Sequence, residues 1–274
     1  MGGDVKAPHC FDTPFPPGYL QGTAGYCRPA DALSPSRFPT LRPAPLAQSL
    51  LLIAPILLFS IIAHEYAHGY AALQQGDTTA SNLGRLTWNP IKHIDPWMSI
   101  FLPLMLYAAH LPILAGAKPV PINPSNYRNY KRGDIIVSLA GIATNIALAL
   151  ACTVVVAITG FIGQEIPAAS GVCSILQAMA WVGIWLNLIL AMFNLLPIPP
   201  LDGSHVLKYL LPPALAQRYQ QIGFAGIVIV LVLLYTPAIS YWLFPAYASA
   251  SLLQNGVRSL VLPETSQLLS AGRF

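Results

Sequence analysis

The chain has 274 residues, of which 55% are apolar and only 9% charged, with a mean hydropathy of +0.58. A soluble domain carries about 25% charged residues, so this composition excludes one and describes a protein that spends most of its length in lipid. The formal net charge of +4 is small and its Lys and Arg fall mostly in loops, which bears on orientation across a bilayer and makes no case for nucleic acid.

Residues 1–45 hold Pro8, Pro14, Pro16, Pro17, Pro29, Pro35 and Pro39 with no sustained period, and are expected to form a disordered tail. No basic stretch precedes a short apolar core, so the tail does not read as a cleavable signal peptide. Cys10 and Cys27 could pair there only in an oxidising compartment, and none of the four cysteines forms a CxxC pair that would suggest a thiolate zinc site.

An apolar run from 46 to about 73 follows, long enough to cross a hydrocarbon core of about 30 Å. Near its C-terminal end it contains His64-Glu-Tyr-Ala-His68. Histidines four apart project from one helix face about a turn apart, the spacing at which two nitrogens share one metal ion, and Glu65 between them is suited to taking a proton from water. An ionisable group at mid-membrane depth costs on the order of 2.5–3.5 kcal/mol, so three in five residues of a spanning helix require a compensating role.

Polar residues 74–95 form a loop, and 96–117 is apolar but interrupted by Pro103, Pro112 and Gly116. The loop 118–134 carries Lys118, Arg128, Lys131 and Arg132, the densest positive cluster of the chain. Three more apolar runs, 135–162, 172–196 and 222–244, complete an all-α, polytopic membrane helical bundle of four to five spans. The last ends in Tyr241, Trp242 and Phe244, placed as an interfacial aromatic belt. The core is thus expected over 46–245, with 246–274 as a tail suited to the membrane surface.

A second constellation stands where the fourth apolar run ends, at Asn194-Leu-Leu-Pro-Ile-Pro-Pro-Leu-Asp-Gly203. Three prolines in four residues cannot continue a helix, and unwound backbone at membrane depth is tolerated only where it is buried in protein or lines a wet cavity. Asp202 is either the carboxylate that completes a His₂-acid zinc set or a solvated residue of an interfacial turn. His205 shares its face, and His93 lies in a polar loop; both read as hydrogen-bonded rather than ligating histidines.

His64-Glu-Tyr-Ala-His68 together with Asn194-x-x-Pro197-x-x-x-Leu201-Asp202-Gly203 resembles the site-2 protease family of intramembrane zinc metalloproteases. The segments Asn89-Pro-Ile-Lys-His-Ile-Asp-Pro96, Ala117-Lys-Pro-Val-Pro-Ile-Asn123 and Ala140-Gly-Ile-Ala-Thr-Asn145 are similar to its compact bacterial-type members, although Ile142 stands where that family usually has Pro. The resemblance implies one Zn²⁺ per chain on His64, His68 and Asp202, with Glu65 as general base and Asn194 assisting at the substrate or its oxyanion. It implies substrate contacts at Asn123 and Asn145, a transmembrane protein as substrate, and a multi-pass location in a bacterial inner membrane. A metal- or proton-coupled transporter and an inactive membrane scaffold are the alternatives; no pair of equivalent broken helices favours the first, and the intact chemical residues oppose the second.

Bringing the two motifs together also sets the topology. Both lie at the C-terminal ends of their runs, so those runs must point the same way, which is met most simply if 96–117 is re-entrant or lies along one face without crossing; five full crossings, which Arg28, Arg37 and Arg42 of the tail slightly favour by charge, are the alternative. In the re-entrant arrangement the loops 74–95, 118–134 and 198–220 share one side with eight Lys and Arg, which places the metal near the cytoplasmic face.

Overall fold

The computed structural model describes residues 46–109 and 116–272, which are helical with no β-strand among them. The N-terminal tail, its expected disorder and its two cysteines lie outside the described residues.

Among the described residues, three helices are long and apolar enough to cross a membrane. The first, α1 (Leu46–Gln75), is rich in Leu, Ile and Ala and ends where Gly76 adopts φ +112°. There the Gly76 and Asp77 amides donate to the carbonyls of Leu73 and Ala72, a Schellman closure that satisfies the last carbonyls. After α2 (Leu102–Ala108) come α3 (Tyr130–Glu165), capped by the Asn129 side chain on the Arg132 amide, and α4 (Ser170–Asn194). Small residues let α3 and α4 approach: Ala149 and Val156 pack on Ala180, Ile184 and Leu188 in the main core.

The described ends of the apolar segment 96–117 meet. Asp95 caps its start by accepting from the Trp97 and Met98 amides, and the helical stretch from Pro96 to Ala108 is about 20 Å long at 1.5 Å per residue, short of the core thickness. Its far end returns to its beginning: the Gly116 amide donates to Met98 O at 3.0 Å, and Ser99 Oγ donates to Gly116 O at 2.6 Å. Entry and exit therefore coincide, and α1, α3 and α4 alternate in direction as the meeting of the motifs requires.

Two expectations about the C-terminal part are corrected. The run 222–244 is not one helix: Gly223 has φ +48°, α7 (Gly226–Leu234) stops after nine residues, and Thr236 is extended before Pro237, which opens α8 (Pro237–Gly256). Ahead of these, α5 (Gly203–Leu207) and α6 (Pro213–Gln221) follow the proline-rich loop 195–202, and α6 meets α7 at 77°. The boundary expected at 245 falls inside α8, whose Ala246 and Ala250 belong to the main core. The remaining segment, with α9 (Pro263–Gly272), docks on the bundle rather than lying apart. Gln177 of α4 donates to the carbonyls of Val156 and Leu260 and accepts from Leu262 N and Thr265 Oγ1, so every hydrogen-bonding capacity of a buried amide is used.

Asp77 joins the loops to α1. Its buried carboxylate accepts from Thr79 N and Oγ1, Asn123 N and Asn126 Nδ2. Burial alone would raise this carboxyl, but those hydrogen bonds outweigh it and hold it below the usual aspartate range. Because the folded value is depressed, its contribution to stability is complete above the unfolded value of about 3.9 and is lost as pH falls through the folded one. Thermal melts in detergent should therefore show an acid-side loss of stability that Asp77→Asn flattens; equal pH dependence in both proteins would refute the assignment.

Candidate metal centre

The site begins with the spacing on α1. His64 and His68 direct their Nε2 atoms at each other across 2.9 Å, and Asp202 Oδ2 stands 3.1 Å from the first and 3.2 Å from the second. Both histidines are buried. The carboxylate arrives because the chain unwinds after Asn194 through Pro197, Pro199 and Pro200, and Asp202 lies at the point where α5 resumes.

The chemistry of the donors decides what can sit between them. His64 Nδ1 faces Asn145 Oδ1 at 2.5 Å, and His68 Nδ1 faces the Val137 carbonyl at 2.7 Å. Both partners only accept, so each Nδ1 carries the proton and, in the neutral rings, each Nε2 presents a bare lone pair. Two lone pairs and a carboxylate oxygen then converge with no proton among them, an arrangement that asks for a cation. Tetrahedral Zn²⁺ with bonds of about 2.0–2.2 Å holds its donors about 3.3–3.6 Å apart, so the 2.9–3.2 Å found need open by only a few tenths of an ångström.

Space for the ion is kept by Gly141. A Cβ built there would lie 2.6 Å from the Nε2 atoms of both histidines, inside the volume a metal needs. The helix around it is continuous, with Ile142 buried, so the absence of a proline at that position leaves α3 regular.

Glu65, on the same turn, accepts from Val120 N at 2.9 Å through Oε2, while Oε1 receives no hydrogen bond among the described residues. The segment 117–122 that delivers Val120 lies across α1 at Gly69, where a side chain would collide with Val120 Cγ1.

The remaining candidates are placed differently. Asn145 was expected at the substrate, but it is wholly buried behind His64 and holds the ring of that residue. Asn194 donates to the Leu190 carbonyl of its own helix, and no hydrogen bond joins it to the three donors. The Asn123 side chain caps the turn Pro124–Asn126 by accepting from Ser125 N, while its amide is held by Asp77. His93 is buried and donates through Nε2 to the Thr87 carbonyl.

Three contributors have no residue-type signature. The Val137 carbonyl is backbone, Gly141 acts by lacking a side chain, and Asp134 reaches the site from 68 residues upstream of Asp202. Buried Asp134 accepts from Lys208 Nζ at 2.5 Å and Tyr209 Oη at 2.9 Å and lies 3.3 Å from His205 Nδ1, pinning the segment after Asp202 to the first turns of α3.

Residues 52–234 match the model of peptidase family M50. The chain belongs to that family. It is therefore a metallopeptidase, and among the described residues His64, His68 and Asp202 form the one group of three such side chains whose donor atoms gather within 4.8 Å. YwhC of Bacillus subtilis, provisionally named a zinc metalloprotease, is 38% identical over 69% of this chain and 82% of its own length. Rip2 of Mycolicibacterium smegmatis, under the same provisional name, is 32% identical over 75% of this chain and 74% of its own, and Rip2 of Mycobacterium tuberculosis is 29% identical with the same coverage. No solved structure gives a significant match. Family membership and the three long apolar helices make the chain an integral membrane protein.

Two outcomes follow from the geometry. Gly141→Ala brings a methyl within 2.6 Å of both Nε2 atoms, so the variant should retain little zinc by atomic absorption and melt at a lower temperature; full zinc content in this variant would show that the ion sits elsewhere. Asp134→Ala leaves Lys208 without its buried partner and should destabilise the protein by about 3–5 kcal/mol, read as a lowered midpoint of unfolding. An unchanged midpoint would show that the pair is solvated.

Proposed function

We propose that the protein is an intramembrane zinc metalloprotease that hydrolyses peptide bonds within or near transmembrane segments of other membrane proteins, and that it resides in a bacterial inner membrane. The observation that carries this reading is the convergence of His64, His68 and Asp202 inside apolar helices with the Glu65 carboxylate on the same turn. Its relatives YwhC and Rip2 are bacterial and carry the provisional name of zinc metalloproteases.

In this reading His64, His68 and Asp202 hold the zinc, which supplies Lewis-acid polarisation of the scissile carbonyl and acidifies a water. Glu65 takes a proton from the attacking water as its oxygen adds to the carbonyl carbon, and gives that proton to the amide nitrogen, so that the C–N bond breaks and the carbonyl is restored in the second step. Val120 N steadies one carboxylate oxygen of Glu65 and leaves the other to carry the proton.

The substrate must reach this turn in extended form, because a helical peptide bond has its carbonyl engaged and its flanks shielded. With the Lys118 and Pro119 carbonyls taken by Arg85, the segment 117–122 offers a substrate strand chiefly the carbonyls of Val120, Pro121 and Ile122. Pro119 and Pro121 have no N–H, the Val120 amide is given to Glu65 and the Lys118 amide to His93 O. A paired substrate would therefore supply the donors. Asn123, at the end of this segment, and Asn194, at the end of α4, are the residues assigned to substrate contact.

Reconstituted in liposomes with a membrane-spanning substrate, Glu65→Gln should keep about one zinc per chain while cleavage falls by roughly 10²–10⁴-fold, the usual contribution of a general base. Cleavage at the wild-type rate in that variant would remove Glu65 from the reaction. Zinc flux without any cleavage by the wild type would replace the protease with a transporter. Helix-weakening residues near the scission point are expected to be needed, and replacing them by Leu in an established substrate should slow cleavage.

A further inference from the structure

The amide that holds His64 is itself held. Asn145 Nδ2 donates to Asn187 Oδ1 at 2.9 Å, and Asn187 Nδ2 donates to the Gly183 carbonyl of its own helix at 2.9 Å. Both asparagines are essentially inaccessible, at 0% and 1% exposure, so water does not compete for these bonds. The polarity of the row is set at its far end. A carbonyl can only accept, so Asn187 turns its NH₂ to Gly183 and its oxygen to Asn145; Asn145 must then turn its NH₂ to Asn187 and its oxygen to His64. The Nδ1 of His64 is thereby obliged to carry the proton and Nε2 to remain bare.

We propose that Asn187 of α4 is a positioning residue of the metal centre, fixing the tautomer and ring orientation of His64 through Asn145. The proposal rests on the reading that His64 ligates zinc, and it adds a residue that touches neither the ion nor the three donors. His68 has no such dependence, because its Nδ1 partner is the Val137 backbone, whose polarity cannot reverse. The two histidines are therefore unequal: one is oriented by a carbonyl of regular helix, the other by two side chains that could each turn over. Without Asn187, Asn145 is free to present its NH₂ to His64, and the ring would then be driven to the other tautomer, with its proton where the metal belongs. Outer partners of this kind are worth about 10–100-fold in metal affinity.

Leucine has the branched outline of asparagine without its polar atoms, and the apolar neighbours Ile56, Leu148 and Cys152 beside Asn187 suit it, which makes a direct test. Zinc dissociation constants would be measured by chelator competition on Asn187→Leu, Asn145→Leu and the double variant, with melting of the metal-free proteins alongside. Asn187→Leu should weaken zinc by about tenfold or more, and the double variant should be no weaker than Asn145→Leu alone, since both act along one row. A residue that serves only packing would lower metal-free stability and leave zinc affinity unchanged, or would weaken zinc additively with Asn145→Leu; either result overturns the proposal. Asn187→Ala, which cannot crowd these neighbours, repeats the measurement if the leucine variant does not fold. Zinc retained by a His64→Ala, His68→Ala double variant would instead overturn the underlying assignment of the ligands.

Discussion

Two imidazole lone pairs and a carboxylate oxygen face one another at 2.9–3.2 Å inside an apolar bundle, and the rest of the structure is arranged around that electrostatic demand. Low dielectric magnifies both sides of the balance: the donors repel strongly when nothing lies between them and attract strongly when a cation does. The rings cannot escape by rotating, because the Nδ1 atom of each is tied to α3. The work is divided among the helices accordingly. The first supplies the pair, the second steadies the rings from behind, and the third ends in a proline-broken loop that brings the acid.

The loops obey the same logic one level out. Segment 117–123 is pinned by Asp77 at the Asn123 amide, by Glu65 at the Val120 amide, by the His93 carbonyl at the Lys118 amide and by Arg85 at the Lys118 and Pro119 carbonyls. Each contact consumes a polar group that would be costly to leave unpaired near the membrane. The carboxylate placed beside the metal histidines is thus also part of the clamp that holds the loop, and its position depends on residues more than 50 positions downstream in the sequence.

Much of this was legible in the sequence, and the reasons for the rest are physical. The histidine pair follows from helical spacing alone. Asp202 needed a proline run and a family resemblance, and the return of 96–117 on itself was the simplest way for both motifs to meet. The sequence could not say where Asn145 points, because that depends on how α3 is rotated against α1, and an asparagine serves a substrate or a ligand ring equally well. Residues 222–244 read as one helix because their apolarity is continuous; Gly223 and Pro237 were visible there but outweighed by hydropathy. The docking of the C-terminal segment was hidden for a different reason. It is written in a single Gln177 whose partners at 260–265 lie more than 80 residues away.

That glutamine has a consequence for the order in which the chain is made. Synthesis proceeds from the N-terminus, so α4 enters the membrane while residues 260–265 have not yet emerged, and at that stage Gln177 has of its final partners only the Val156 carbonyl of the neighbouring helix. An amide with most of its capacity unmet in an apolar setting costs about 1–3 kcal/mol, a standing bias against the compact bundle until the late segment arrives to relieve it. The packing of α3 against α4 is therefore complete in hydrogen bonds only once the segment 260–265 has docked, so the last residues to be made finish a contact between helices made long before them.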